Sequence, residues 1–226
     1  SQLSVNGAAR RPRDPTEAIA SMPAGRHPYF SRAGWIPFAV CAAGGIMVAR
    51  TLGWAWSVPF WLGCAVIVYL FRDPRRDIPS SPLAVVSPAD GVVDSIEEVS
   101  DPYLDRQALL LVINMNHTGV YSTRSPVEGK VLEPRNSADG ANRPHGVWLQ
   151  TDEGDDLVMV MHRGALRNLP QCYVQVGERV GQGQRCGYVS MGGRVEVYLP
   201  CNSRPLAKPG SQVRAGADVI ATLVHK

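Results

Sequence analysis

The chain has 226 residues, enough for one domain of ordinary size or a small domain with an appendage. Hydrophobic residues make up 45% and charged residues 19%, which excludes a disordered chain, and the 22 Gly and 18 Pro exclude a coiled coil. The formal net charge of +3 lies in residues 1–34, so the rest of the chain lacks the basic surface that DNA or RNA binding requires.

Residues 1–33 form an arm that is rich in Pro, Gly, Ser and Arg. This composition predicts a mobile basic arm, and its arginines suit the anionic headgroups of a membrane surface. A plain tail without such a role is an equal alternative.

Residues 34–72 form the most apolar part of the chain, and between residues 35 and 71 the only charge is Arg50. The length favours two short helices, about 34–49 and 55–71, joined by a turn at residues 50–53. We predict a membrane-embedded helical hairpin whose two ends face the cytoplasm, because arginines flank both outer ends. The alternative is a helical hairpin that is buried inside the protein.

From residue 83 onward, short runs rich in Val, Ile, Leu and Tyr alternate with Gly, Pro, Asn and Asp. This spacing predicts an all-β sandwich or barrel, with one short helical piece near residues 163–169. Residues 73–226 would therefore form a β-rich domain.

Two pairs of segments in this domain resemble each other. Residues 87–93 (SPADGVV) match residues 125–131 (SPVEGKV), and residues 177–183 and 210–216 each carry glycines six positions apart. Paired glycine turns of this kind resemble the biotinyl/lipoyl-like barrel-sandwich, which is the fold we predict. Neither repeat carries a lysine at its hairpin tip, so a swinging carrier domain is excluded.

The cysteines form no CxxC pair, and the histidines form no HxH or HxxxH motif. The sequence therefore predicts reduced thiols, no disulfide framework and no metal site.

Four segments together resemble the short phosphatidylserine decarboxylases of bacteria and archaea. They are residues 71–76 (FRDPRR), 87–93 (SPADGVV), 124–131 (RSPVEGKV) and 192–200 (GGRVEVYLP). The resemblance implies a membrane-attached protein of the bacterial inner membrane with its β domain on the cytoplasmic face. It also implies a pyruvoyl cofactor, which this family makes by self-cleavage at a Gly-Ser bond.

The self-cleavage chemistry needs a serine hydroxyl, a histidine base and an aspartate that orients the base. The resemblance assigns the aspartate to Asp90. It places Tyr121 where the histidine belongs and Gly192-Gly193 at the cleavage site, so Gly193 replaces the serine. Glycine has no hydroxyl, and tyrosine, with an ordinary pKa near 10, is a poor base at neutral pH. We therefore expect no cofactor, because a pyruvoyl group cannot form at Gly193.

Three other residues are candidates for binding a lipid headgroup: Arg124 and Arg194, whose guanidinium groups suit phosphate or carboxylate, and Asn142. An atypical cleavage near Ser190 or Cys186 is a second possibility.

The sequence thus supports three functions. The first is a membrane-anchored member of this family that has lost self-processing and is a non-catalytic subunit, with membrane phospholipid as ligand and other membrane proteins or a second copy as partners. The second is an active decarboxylase that makes phosphatidylethanolamine at an atypical pyruvoyl site. The third is a β domain whose apolar hairpin binds a protein partner instead of lipid.

Overall fold

In the computed structural model, the residues described are 34–72, 76–79, 81, 83–117, 120–132, 145–164 and 169–224. The basic arm and Asn142 lie outside these residues, as does most of the short helical piece predicted near residues 163–169. In the described part, strands predominate and two helices precede them.

Helix α1 spans Trp35–Thr51 and helix α2 spans Trp54–Leu70. The chain reverses between them at Gly53, whose φ of 97° is accessible to glycine at little cost. The helices pack closely because small residues face large ones: a Cβ added to Gly45 would lie 3.0 Å from the Cβ atom of Phe60. The Cys41 thiol also donates a hydrogen bond to the Phe60 carbonyl oxygen at 3.2 Å.

The prediction of a membrane-embedded helical hairpin is wrong for these helices. Each has 17 residues and is therefore about 25 Å long at about 1.5 Å per residue, less than the roughly 30 Å of a bilayer's hydrocarbon core. No helix among the described residues is long and apolar enough to cross a membrane.

Short antiparallel strands make up most of the described chain after residue 83. Their bounds are β1 Ala84–Val86, β2 Gly91–Asp101, β3 Arg106–Met115, β4 Ser122–Arg124, β5 Gly129–Leu132, β6 His145–Gln150, β7 Asp156–Met161, β8 Gln171–Cys172, β9 Arg179–Val180, β10 Arg185–Tyr188, β11 Arg194–Pro200, β12 Arg204–Pro205, β13 Gln212–Val213 and β14 Val219–Thr222. They form an eight-stranded sheet in the order β13-β2-β3-β11-β7-β6-β5-β9 and two three-stranded sheets, β1-β14-β12 and β4-β10-β8.

The main hydrophobic core contains side chains from all three sheets. Leu111, Met159 and Val197 from the centre of the large sheet meet Val85 and Cys186 from the two small sheets. Side chains alternate along a strand, so the neighbouring residues of the large sheet point to its opposite face. There they form a second, smaller cluster: Tyr103, Ala108, Leu110, Val112, Val158, Val160 and Tyr198.

The sequence repeats correspond to equivalent backbone hydrogen bonds. In one half Gly216 N donates to Ser87 O, and in the other Gly183 N donates to Ser125 O, each at 2.8 Å. The two Ser-Pro turns also bond to each other, because Arg124 N donates to Pro88 O at 2.8 Å and the Val86 amide donates to Pro126 O at 2.9 Å. The domain thus contains two similarly bonded halves.

The predicted barrel-sandwich is nevertheless wrong, because the described strands form no closed barrel. The strand order of the large sheet ends at β13 and β9, which pair with β2 and β5 and not with each other. The repeats duplicate a local hydrogen-bonding pattern without closing the sheet.

Candidate functional site

The turn at Gly192-Gly193 precedes strand β11 and corresponds to the cleavage site that the family resemblance assigns. Met191 and Gly192 both have positive φ angles, 59° and 76°, so the backbone reverses sharply here. The Gly193 carbonyl oxygen then accepts a hydrogen bond from the Met115 amide at 2.8 Å, which fixes the turn against the end of β3.

A larger side chain at Gly193 has little room. A Cβ atom built there lies 2.8 Å from Val189 Cγ1 and 3.3 Å from the Arg163 carbonyl oxygen. Val189 is fully buried. A serine at this position would therefore require Val189 to move. The residues present therefore do not fit a serine-derived pyruvoyl group.

Tyr121 lies beside this turn. Its side chain is almost fully buried, its hydroxyl donates to the His117 carbonyl oxygen, and the same hydroxyl lies 3.7 Å from Met191 Sδ. Burial raises the pKa of Tyr121 above its ordinary value. At neutral pH the phenol is therefore protonated and acts as a hydrogen-bond donor, not as a base.

The rings of Phe71 and Tyr188 pack beside Tyr121. The ring of Phe71, the first residue after α2, is edge-on to Tyr121 at 6.3 Å and stacked with Tyr188 at 6.4 Å between centroids. Tyr121 and Tyr188 are also edge-on to each other at 6.1 Å. These three residues, which we call the aromatic cluster, place the end of α2 against the cleavage-site equivalent.

Asp90, the family-equivalent aspartate, is bound to other groups. Its Oδ2 accepts a hydrogen bond from Arg76 Nη2 at 2.7 Å, and its Oδ1 accepts one from the Ala215 amide at 2.7 Å. Neither contact involves Tyr121. Sequence reasoning placed Arg76 only among the arginines that flank the apolar segment and assigned it no role at this site, although it belongs to the FRDPRR segment that carried part of the resemblance.

Arg124 lies next to this pair. Its side chain is buried, with 7% exposed, and its Nη1 donates to the Gly183 carbonyl oxygen at 3.1 Å. The pKa of Arg124 is lowered, first by burial and then by the positive charge of Arg76, while Asp90 opposes the shift. The structure therefore brings the predicted Arg124 together with Asp90 and Arg76.

Arg194, the other predicted headgroup ligand, belongs to a separate group of side chains. Its Nε lies 2.9 Å from Glu196 Oε1, and the same carboxylate contacts His162 at 3.0 Å and the Tyr198 hydroxyl at 3.0 Å. Burial alone would raise the pKa of Glu196, but its bonds to His162 and Tyr198 and the charge of Arg194 lower it overall. Sequence reasoning did not identify this buried carboxylate.

Cys186 and Ser190 were the predicted sites of atypical cleavage. Cys186 is buried, its Sγ lies 3.9 Å from Thr123 Oγ1, and burial raises the pKa of the thiol to about 12. A thiol in this state is inert near neutral pH. Ser190 precedes the Met191 turn, where His117 Nδ1 lies 3.1 Å from the Met191 carbonyl oxygen.

The side chains of the described residues place no group of three His, Cys, Asp or Glu in position to hold a metal ion.

Comparisons with known proteins agree with the resemblance seen in the sequence. The family model for phosphatidylserine decarboxylase matches residues 64–221. A phosphatidylserine decarboxylase proenzyme from Aromatoleum aromaticum is 36% identical over 87% of this chain and 97% of its own length. One from Nitrosomonas europaea is 36% identical over 86% of this chain and 95% of its own length.

Among solved structures, a glucose permease IIA from Mycoplasma capricolum matches with a TM-score of 0.42 and 21% sequence identity. The match covers 62% of this chain and 94% of that one.

Proposed function

Because the chain belongs to the phosphatidylserine decarboxylase family, we propose that it is a member that does not cleave itself and binds phospholipid as a non-catalytic subunit. Its partners in this role are other membrane proteins or a second copy of the chain.

The observation that carries this proposal is Gly193 in the cleavage-site turn. Self-cleavage in the family begins with attack of a serine hydroxyl on the preceding carbonyl carbon, and glycine offers no oxygen for that attack. The space that a serine Cβ would need is already occupied by Val189 Cγ1. Loss of the nucleophile is thus accompanied by packing that suits its absence.

The other two family positions support the same proposal. The Tyr121 hydroxyl donates a hydrogen bond to the His117 carbonyl oxygen and, because burial raises its pKa, the phenol is not a base at neutral pH. Asp90 accepts from Arg76 and from the Ala215 amide, so both of its carboxylate oxygens are engaged away from Tyr121.

A decarboxylation assay tests the proposal. Purified protein in detergent is incubated with carboxyl-labelled phosphatidylserine, and released carbon dioxide is measured beside the phosphatidylserine decarboxylase proenzyme of Aromatoleum aromaticum as a reference. We expect no release above the rate without protein, and no labelling by a carbonyl reagent. Release that is abolished by hydroxylamine would contradict the proposal.

The helix pair supports the lipid-binding part of the proposal. It exposes large apolar side chains, among them Trp35, Ile36, Val40, Met47, Trp54 and Trp56. An apolar surface of this extent requires a partner. We propose that this partner is the phospholipid surface on the cytoplasmic side of the bacterial inner membrane. The helix pair contacts that surface without spanning the membrane. Arg72, whose guanidinium lies 4.1 Å from the centre of the Tyr69 ring, would meet the anionic headgroups at its edge.

Sedimentation with vesicles tests this contact. A Trp54→Ser, Trp56→Ser double variant should lose about tenfold or more in partitioning to phosphatidylserine-containing vesicles, because two large apolar side chains no longer leave water. Leu206→Ser, an exposed apolar residue of the β domain, is the matched control and should bind as the unaltered chain does. Equal binding by both variants, or extraction of the protein from native membranes by high salt without detergent, would favour a protein partner instead.

A second function rests on the position of His117. Its ring lies at the Met191 carbonyl oxygen, one residue from Ser190, so a base and a hydroxyl occur in the same turn. An active decarboxylase with an atypical pyruvoyl group at Ser190 would release carbon dioxide in the assay above and would lose that activity in Ser190→Ala. The same substitution leaves our proposed function unaffected.

A further inference from the structure

Met191 combines a strained backbone with a half-buried side chain that can be oxidised. Its φ of 59° lies in the left-handed region, which residues with a side chain rarely adopt, and strain of this kind is concentrated at functional positions. The other methionines described in the β domain, Met115, Met159 and Met161, are buried, with 5%, 0% and 0% exposed, whereas Met191 is partly exposed. A small oxidant in solution therefore reaches Met191 before it reaches those three.

The Tyr121 hydroxyl has one proton and two acceptors within reach. It donates to the His117 carbonyl oxygen, and it also lies 3.7 Å from Met191 Sδ. A thioether sulfur is a weak acceptor, so the carbonyl oxygen holds the hydrogen bond. A stronger acceptor on the side chain of Met191 would compete for the same proton, because the hydroxyl already lies beside that side chain.

Oxidation of the Met191 sulfur creates such an acceptor. The sulfur lone pair attacks one oxygen of a peroxide, the O–O bond breaks, and an S–O bond forms. The sulfur loses two electrons to the peroxide, whose second oxygen leaves as water or an alcohol after it takes up the proton of the transferred oxygen. The product, methionine sulfoxide, carries a polar oxygen, and reductases return it to methionine.

We propose that Met191 is a peroxide-sensitive modification site and that its sulfoxide takes over the hydrogen bond of the Tyr121 hydroxyl. This modification needs neither phospholipid nor self-cleavage, so it is independent of the proposed function. Its effect falls on a residue that connects two parts of the molecule, because the Tyr121 ring is edge-on to Phe71 at the end of α2, with 6.3 Å between the ring centroids. The oxidation state of one sulfur would thereby act on the contact between the helix pair and the cleavage-site turn.

Peptide mass spectrometry of the full folded chain, treated with hydrogen peroxide, tests the site. Addition of one oxygen atom to Met191 should proceed about tenfold faster or more than addition to Met159 and Met161, because peroxide must enter the core to reach those two. Met47, 67% exposed on the helix pair, is the control that shows the oxidant to be active. Oxidation of Met47 while Met191 reacts as slowly as Met159 would overturn the proposal.

Thermal melting before and after oxidation tests the transfer of the hydrogen bond. Met191→Leu, which lacks the sulfur, gives the effect of oxidation at the other methionines, and this effect is subtracted in the unaltered chain and in Tyr121→Phe. The remaining loss in melting temperature should be larger in Tyr121→Phe, because this variant offers the sulfoxide oxygen no hydroxyl. Equal losses in the two proteins would show that Tyr121 does not bond to the oxidised side chain, and the proposal would fail.

Discussion

Gly193 and Val189 together show how a missing side chain alters its surroundings. The absence of a serine was evident from the sequence, since Gly193 stands where the family has a hydroxyl. The packing of Val189 against Gly193 was not evident from the sequence, because no sequence pattern predicts which buried side chain occupies the space beside a glycine. The contact between Arg76 and Asp90 was not evident from the sequence either. The two residues are 14 positions apart, and hydrophobic periodicity does not predict a contact of this kind.

Restoring the serine should therefore destabilise the protein. We expect Gly193→Ser to lower the free energy of unfolding by about 1–3 kcal/mol, because its Cβ would overlap Val189 Cγ1. Combining it with Val189→Ala should recover part of that loss, which denaturant unfolding of the two single variants and the double variant would measure. Strictly additive losses would show that Val189 does not occupy the serine position.

The buried phenol of Tyr121 predicts a dependence of stability on alkaline pH. Because burial raises its folded-state pKa above the unfolded value near 10, the unfolded chain loses this proton first as the pH rises. The contribution of Tyr121 is thus fully present below about pH 10 and is lost as the pH rises toward the folded-state pKa.

Denaturant unfolding between pH 7 and 11 checks this dependence in the unaltered chain and in Tyr121→Phe. The variant should be less stable by about 0.5–1.5 kcal/mol at pH 7, because the bond to the His117 carbonyl oxygen is lost. Its disadvantage should shrink above pH 10. A constant difference across the range would mean that Tyr121 titrates normally.

At the scale of elements, the end of α2 is tied to the β domain through the aromatic cluster. The apolar run predicted two helices about 34–49 and 55–71, close to the observed Trp35–Thr51 and Trp54–Leu70. It did not predict that Phe71 lies on Tyr121 and Tyr188, because such contacts depend on tertiary packing and not on local composition. The apolar composition also led to the prediction of a hairpin that spans the membrane, which the length of the two helices contradicts.

Removing the Phe71 ring should loosen this connection. We expect Phe71→Ala to speed amide hydrogen exchange in β10, whose Tyr188 stacks with it, because each ring pair contributes about 0.5–1.5 kcal/mol. Tyr103→Ala, which breaks the edge-on Tyr103–Tyr198 pair on the other face of the large sheet, is the matched control. Exchange in β10 that responds equally to both variants would argue against a specific role for Phe71.

At the scale of the whole domain, two similarly bonded halves carry different residues. The SPADG and SPVEG turns have the same backbone bonds, yet Asp90 binds Arg76 while its counterpart Glu128 is exposed and lies 3.8 Å from Arg179. The spacing of Gly, Ser and Pro predicted the repeats because the turns need those residues. The same repeats led to the wrong prediction of a closed barrel, because a seven-residue repeat does not show whether distant edge strands pair with each other.

The equivalence of the halves predicts matched sensitivity at Gly91 and Gly129. A Cβ at either position would lie against the carbonyl oxygen of the facing strand, Asn114 or Gln150, closer than real Cβ atoms approach. Gly91→Ala and Gly129→Ala should each cost about 3 kcal/mol or more in unfolding experiments. Gly154→Ala, where φ is 86° and nothing lies within 4 Å, should cost about 1 kcal/mol. Clearly unequal losses at Gly91 and Gly129 would refute the equivalence, and an equally large loss at Gly154 would show that the facing carbonyl oxygens are not the cause.

The intact mass of protein purified from its native host tests the central claim most directly. We predict one unbroken species, which for these 226 residues corresponds to 24.5 kDa, with an ordinary peptide bond between Gly192 and Gly193. Two fragments, the smaller one beginning with a keto-acid group instead of an amine, would contradict the account and identify the protein as a self-processing enzyme.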